Sequence, residues 1–134
     1  MSNDLLDIFQ AEVREIITGL NDSLLKLELS EGDDRATLLK EMNRLAHSMK
    51  GAARAVGYEM VENISQLLEE IFHKAWHDNL HIPPGMGDSL YDGIDLIQHQ
   101  VNQDPMDDAI VTEIIANLKA MLNPKPQDHT TFLQ

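Results

Sequence analysis

Apolar residues recur along most of this chain at alternating intervals of three and four, the period of a helix with one buried face. Leu5, Phe9, Val13, Ile16, Leu20, Leu24 and Leu27 form the first such stripe, widened by Leu6, Ile17 and Leu25. They predict a long helix, capped by Ser2 or Asn3, that ends near Leu29 and touches more than one neighbour. Ser30-Glu31-Gly32-Asp33-Asp34 reads as a turn, and either aspartate is a candidate cap for a second helix over about Arg35–Val56. There Leu45, Met49, Ala52 and Val56 share a stripe, and Gly57 is placed to end the helix in the left-handed conformation. A third helix resumes at once through Val61, Ile64, Leu68, Ile71 and Ala75. Ile82-Pro83-Pro84-Gly85 interrupts the pattern, and a fourth helix then turns Met86, Leu90, Ile94, Ile97 and Val101 inward. Asp104 is the expected cap of a fifth helix with Pro105 at its first position. In it Ile110, Ile114, Leu118 and Met121 are flanked by Val111, Ile115 and Leu122. Short connections make successive helices antiparallel neighbours. The predicted fold is all-α: an antiparallel four-helix bundle with an additional fifth C-terminal helix. One domain covers 1–123, and 124–134, without periodicity, reads as a tail or the start of a linker.

The polar side of the second helix holds the candidate chemistry. On a helical wheel His47 points roughly 160–170° away from the middle of the Leu45–Val56 stripe, toward solvent. Lys40, Asn43, Arg44, Lys50 and Arg54 lie within about 60° of it. Gly51 follows one turn later, in a helix interior where glycine costs about 0.5–1 kcal/mol relative to alanine. Helical side chains lean toward the N-terminus, so a side chain at 51 would lie over the imidazole at 47; glycine leaves the ring uncovered.

Composition sharpens this. The net charge of −13 argues against nucleic-acid binding, yet Ala36–Tyr58 holds four of the ten Lys and Arg residues against one acid, Glu41. There is no cysteine, which removes disulfides and thiolate metal sites. No apolar run approaches a membrane span, so membrane insertion is not expected, and Asp4 and Asp7 spoil a signal-peptide reading. The expected location is cytoplasmic.

His47-x-x-Lys50-Gly51-x-Ala53-x-x-x-Gly57 resembles the signature of histidine phosphotransfer (HPt) domains, and the chain from Leu5 to about Met121 is similar to the amino-terminal HPt domain of CheA-type histidine kinases. The resemblance implies that His47 is phosphorylated on Nε2 by a histidine kinase catalytic domain and passes the group to an aspartate of a response-regulator receiver domain. It also implies a glutamate on the next helix, here Glu69, that accepts a hydrogen bond from the other ring nitrogen and orients the imidazole. The short connection between the helices permits that contact; the resemblance is what implies it. Some chemotaxis members carry a second histidine three residues earlier, where this chain has Gln66, so no second ring is expected to take part.

The roles that follow are Lys50 for phosphoryl stabilisation and Lys40, Asn43, Arg44, Gly51 and Arg54 for partner binding, with any metal and the acceptor aspartate supplied by the partner. Without a glycine-rich phosphate loop, and too short to add a kinase domain, the chain is expected to be a phosphocarrier and a fragment of a larger CheA-type kinase, not an enzyme by itself. Two rival readings remain. One is a helical adaptor that uses the His47 face without phosphorylation. The other is a metal-binding bundle built on His73, His77 and His81, which are spaced by four. Against the metal, no second Glu-x-x-His accompanies Glu70-Ile-Phe-His73, and the wheel turns His73 and His77 to solvent. No cofactor and no metal are expected.

Overall fold

The structure is a computed structural model that describes residues 3–78, 82 and 84–123, the side chains of 3 and 84–86 excepted. Among the described residues there are five helices: α1 (Asn3–Leu27), α2 (Gly32–Val56), α3 (Glu59–His77), α4 (Pro84–Val101) and α5 (Asp108–Leu122). The first four form a closed antiparallel bundle, each packed on the next and α4 back on α1, while α5 lies against α3 and α4. No helix among the described residues is long and apolar enough to cross a membrane. The expected cap at Ser2, His81, the inward turn of Met86 and the tail 124–134 lie outside what is described.

The helix stripes meet in one core. Phe9, Val13, Ile16, Leu20, Leu24 and Leu27 of α1 are buried, with Ile17 on the side toward a second neighbour. Leu5 and Leu25, assigned to the stripe and its flank, are exposed instead. Leu29 is 91% exposed, because α1 ends at Leu27 with the Ser30 hydroxyl and the Leu29 amide closing onto the Lys26 carbonyl. Neither aspartate of the turn caps α2. The helix begins three residues earlier than expected, after Glu31, and Asp33 and Asp34 lie in its first turn, where carboxylates oppose the positive end of the helix dipole.

The face that α2 buries is also rotated. Leu39, Met42, Ala46, Met49 and Ala53 are its buried positions, whereas Leu45, Ala52 and Val56 are half-buried flanks. That moves the centre of the face about 70° around the wheel and leaves His47 about 120° from it, on the shoulder of the helix. The small residues at the true centre let α2 sit between α1 and α3. Gly19 of α1 does the same from the other side: a Cβ there would lie 3.1 Å from Leu45 Cδ1.

Gly57 ends α2 as expected, at φ 79° and ψ 20°. Its amide donates to the Arg54 carbonyl and the Tyr58 amide to the Ala53 carbonyl, the two crossed bonds of a Schellman motif. The Tyr58 ring then packs edge-on against Phe9, centroids 5.1 Å apart, so the turn into α3 is pinned to the core. The same motif ends α4 without a glycine: Gln103 takes φ 58°, its amide donating to Gln100 and that of Asp104 to His99. Asp104 is thereby spent on α4, and α5 is capped by Asp107, whose carboxylate accepts from the Ala109 amide at 3.0 Å. Pro105 consequently lies before the helix and not at its first position. Ile110 is exposed, and Val111, Ile114, Leu118 and Met121 face inward.

Candidate functional site

The seam between α2 and α3 carries the site, and two side-chain bonds to backbone fix its register. The Asn43 amide donates to the Glu69 carbonyl at 2.9 Å, and the Arg35 guanidinium to the Ala75 carbonyl at 3.4 Å. With α3 held in this phase, Glu69 projects toward α2 and meets both His47 and Lys50. Glu69 Oε2 lies 2.8 Å from His47 Nδ1, and Oε1 lies 2.7 Å from Lys50 Nζ. The His47 side chain is 67% exposed, against 18% for Glu69 and 16% for Lys50. A histidine directly opposite the core, as the sequence stripe implied, could not reach a carboxylate on a neighbouring helix; the shoulder position allows contact and exposure together.

The electrostatics decide which ring nitrogen is free. Burial pushes the Glu69 carboxyl upward, but the hydrogen bonds and charges of Lys50 and His47 outweigh it and hold the group below the usual carboxylate range. An ionised carboxylate only accepts, so the neutral imidazole carries its proton on Nδ1, donated to Glu69. In that tautomer Nε2 carries the lone pair, and the ring that holds it is exposed, which is what a nucleophile requires. Gly51, one turn on, is exposed, and a Cβ added there meets nothing within 4 Å. Approach to the ring is open on that side.

The cations expected to form a bare positive face are all engaged. Lys50 donates to Gln66 Oε1 at 2.9 Å in addition to its ion pair with Glu69. Arg54 Nε donates to Glu62 Oε2 at 2.7 Å. Arg44 makes two bonds to Glu41, one of 2.6 Å and one of 3.0 Å, which hold that carboxyl below its ordinary range. Lys40 Nζ sits 4.8 Å from the centre of the Trp76 ring, in cation–π contact. The site thus gathers His47, Glu69 and Lys50 and surrounds them with matched charges. Gln66, which the sequence marked only as a departure from a pattern, belongs to the same network.

The rival cluster is also placed. His73 and His77 are exposed, as their wheel positions predict, with ring centroids 4.2 Å apart. Trp76 is half-buried and packs at 4.2 Å against His77. Among the described residues no three His, Cys, Asp or Glu side chains converge to hold a metal ion.

The Hpt domain model matches residues 4–123. Chemotaxis protein CheA of Halobacterium salinarum is 30% identical over 124 residues, covering 90% of this chain and 18% of that protein. CheA of Listeria innocua is 24% identical over 133 residues, 97% of this chain and 21% of that protein, and CheA of Salmonella typhimurium is 27% identical over 139, 98% and 20%. The chain spans about a fifth of the length of these curated relatives. Its role is histidine phosphotransfer in two-component signalling, and the chain belongs to the Hpt domain family in its CheA-like form.

Proposed function

We propose that His47 accepts the γ-phosphoryl group of ATP at the catalytic domain of a CheA-type histidine kinase and delivers it to an aspartate of a response-regulator receiver domain. The observation that carries this is the 2.8 Å contact between Nδ1 and Glu69 on an otherwise exposed ring. In the first step the Nε2 lone pair forms a bond to the γ-phosphorus while the bond to the bridging oxygen breaks, and ADP leaves with that electron pair. The ring becomes cationic as it attacks, and the Glu69 carboxylate beside Nδ1 stabilises that charge. In the second step a regulator carboxylate oxygen attacks phosphorus, the P–N bond breaks, and its electrons return to Nε2. Lys50 contributes positive charge from its seat on Glu69, within the range of about 10 Å over which exposed charges act at 0.1 M salt. Lys40, Arg44, Gly51, Arg54 and the outer side of Asn43 form the surface on which kinase and regulator dock. The chain works in the cytoplasm as the phosphotransfer portion of a larger kinase, whose ATP-dependent activity resides elsewhere.

The test is incubation with an active CheA-type kinase and ATP, followed by a receiver domain. Acid-labile phosphate on His47 that disappears when the receiver is added is the expected result. No labelling, or labelling confined to His73 or His77, overturns the proposal.

Gly51 separates stability from transfer. Gly51→Gln places a good helix former at an open, exposed helical position and should keep or raise the thermal midpoint. Its side chain would lean back over His47 and slow phosphorylation. A variant that transfers at the wild-type rate would show that access past residue 51 does not matter.

A further inference from the structure

The geometry points to Gln66 as a positioning residue that holds Lys50 on Glu69, and so keeps Glu69 turned toward His47. This rests on the phosphocarrier reading above. Lys50, Gln66, Glu69 and Glu70 line one shallow cleft beside the phosphorylation face. Within it the polar atoms form a single chain from His47 Nδ1 to Glu69, from Glu69 to Lys50 Nζ, from Lys50 to Gln66 Oε1, and from Gln66 Nε2 to Glu70 Oε1 at 2.6 Å. The amide can sit in only one orientation here. An ammonium has no acceptor and an ionised carboxylate has no donor, so the oxygen must face Lys50 and the NH2 group Glu70.

That arrangement does two things. It gives the largely buried Lys50 ammonium a second, neutral acceptor, so that its one ionic partner remains Glu69. It also occupies Glu70 with a donor. Glu70 follows Glu69 directly in sequence and is a second carboxylate that would otherwise compete for the same cation. If Lys50 moved outward to Glu70, Glu69 would lose both the hydrogen bond and the charge that offset its burial. Neighbouring polar groups would still be hydrogen-bonded, but the carboxylate that orients the ring would no longer be fixed. A neutral amide spacer prevents this over the whole pH range, because it does not titrate.

Two variants of the full chain test the assignment. Gln66→Leu removes acceptor and donor while keeping an apolar body one atom shorter. Gln66→His restores both while its ring is neutral, one nitrogen accepting from Lys50 and the other donating to Glu70, and loses the acceptor once protonated. The first readout is the ¹³C titration of the Glu69 carboxyl, which needs no kinase; the second is kcat and KM for phosphorylation by a CheA-type kinase with ATP. In Gln66→Leu the carboxyl should titrate at higher pH than in wild type, and kcat should fall by about three- to tenfold at unchanged KM, the equivalent of one ordinary hydrogen bond. Gln66→His should match wild type at about pH 8 and fall below it, measured against wild type at the same pH, on the acid side of the unperturbed imidazole value of about 6.5. Wild-type Glu69 titration in Gln66→Leu overturns the assignment, as does a Gln66→His variant that tracks the Leu variant at about pH 8. Should the wild-type chain take up no phosphate at all, the phosphocarrier reading fails, and the Glu69 titration alone still decides the role of Gln66.

Discussion

His47→Gln should abolish phosphate uptake completely while leaving the helical spectrum and thermal midpoint near those of the parent chain. The loss is total because no other described histidine pairs an exposed ring with a buried-side carboxylate on a neighbouring helix: His73 and His77 contact each other and Trp76, and His99 contacts Asp95 and Asp104 from within its own helix and the turn that follows. The stability cost is small because the ring is exposed and its one ionic contact is shared. Glu69 keeps Lys50 when His47 is gone, so no buried charge is stranded, and the change should stay within about 1 kcal/mol. Radiolabel from ATP, together with circular dichroism on the same preparation, checks both halves. Residual labelling in a folded His47→Gln chain would move the site elsewhere.

Glu69→Ala should produce the second-largest effect, and on two quantities at once. Phosphorylation should slow by about 10- to 100-fold, by analogy with the penalty when the hydrogen-bond partner that orients a metal-ligating histidine is lost. Stability should fall by about 1–3 kcal/mol, because a largely buried lysine is left with Gln66 as its only acceptor across the seam. Glu69→Gln supplies the control for charge. The Glu69 carboxyl titrates below its unfolded value, so its ionised form stabilises the fold above the ordinary carboxylate range, and this contribution is lost as pH falls through the lowered value. The midpoint difference between wild type and Glu69→Gln should therefore be largest near neutrality and shrink on acidification. A difference that grows toward low pH would mean the carboxyl is raised, with burial winning over Lys50 and His47.

Helix order, the αL closure at Gly57 and the exposed histidine were all legible because each leaves a local mark: a period, a glycine after the last turn, a polar residue off the stripe. The phase of α2 was not. The stripe of Leu45, Met49, Ala52 and Val56 weights bulky residues, whereas the buried centre contains Ala46 and Ala53, whose small size is what lets two other helices come close. Alanine carries little hydrophobic signal, so a face built on it looks neutral from sequence. The start of α5 was obscured for a related reason: Asp104-Pro105 is a fine local cap, but the end of α4 claims Asp104 first. Within the site, the wheel could say which residues share a face with His47 and not which partner each would take. Glu62, Glu69 and Gln66 lie on another helix, and only the register set by Asn43 and Arg35 brings them opposite Arg54, His47 and Lys50.

The pairing of every cation along the seam has a consequence for how long a partner stays. In the docking proposed above, an acidic surface arriving at Arg54 or Arg44 would not find an empty charge but would exchange with Glu62 or Glu41, the partners these residues already hold. Attraction is then a small difference between two comparable contacts, and dissociation is assisted from within the chain. Because affinity among related complexes is set mainly through the off-rate, such internal competitors shorten residence without slowing encounter. In the proposed relay one histidine meets a donor, releases it and then meets an acceptor, and brief occupancy at each stage would free it for the next.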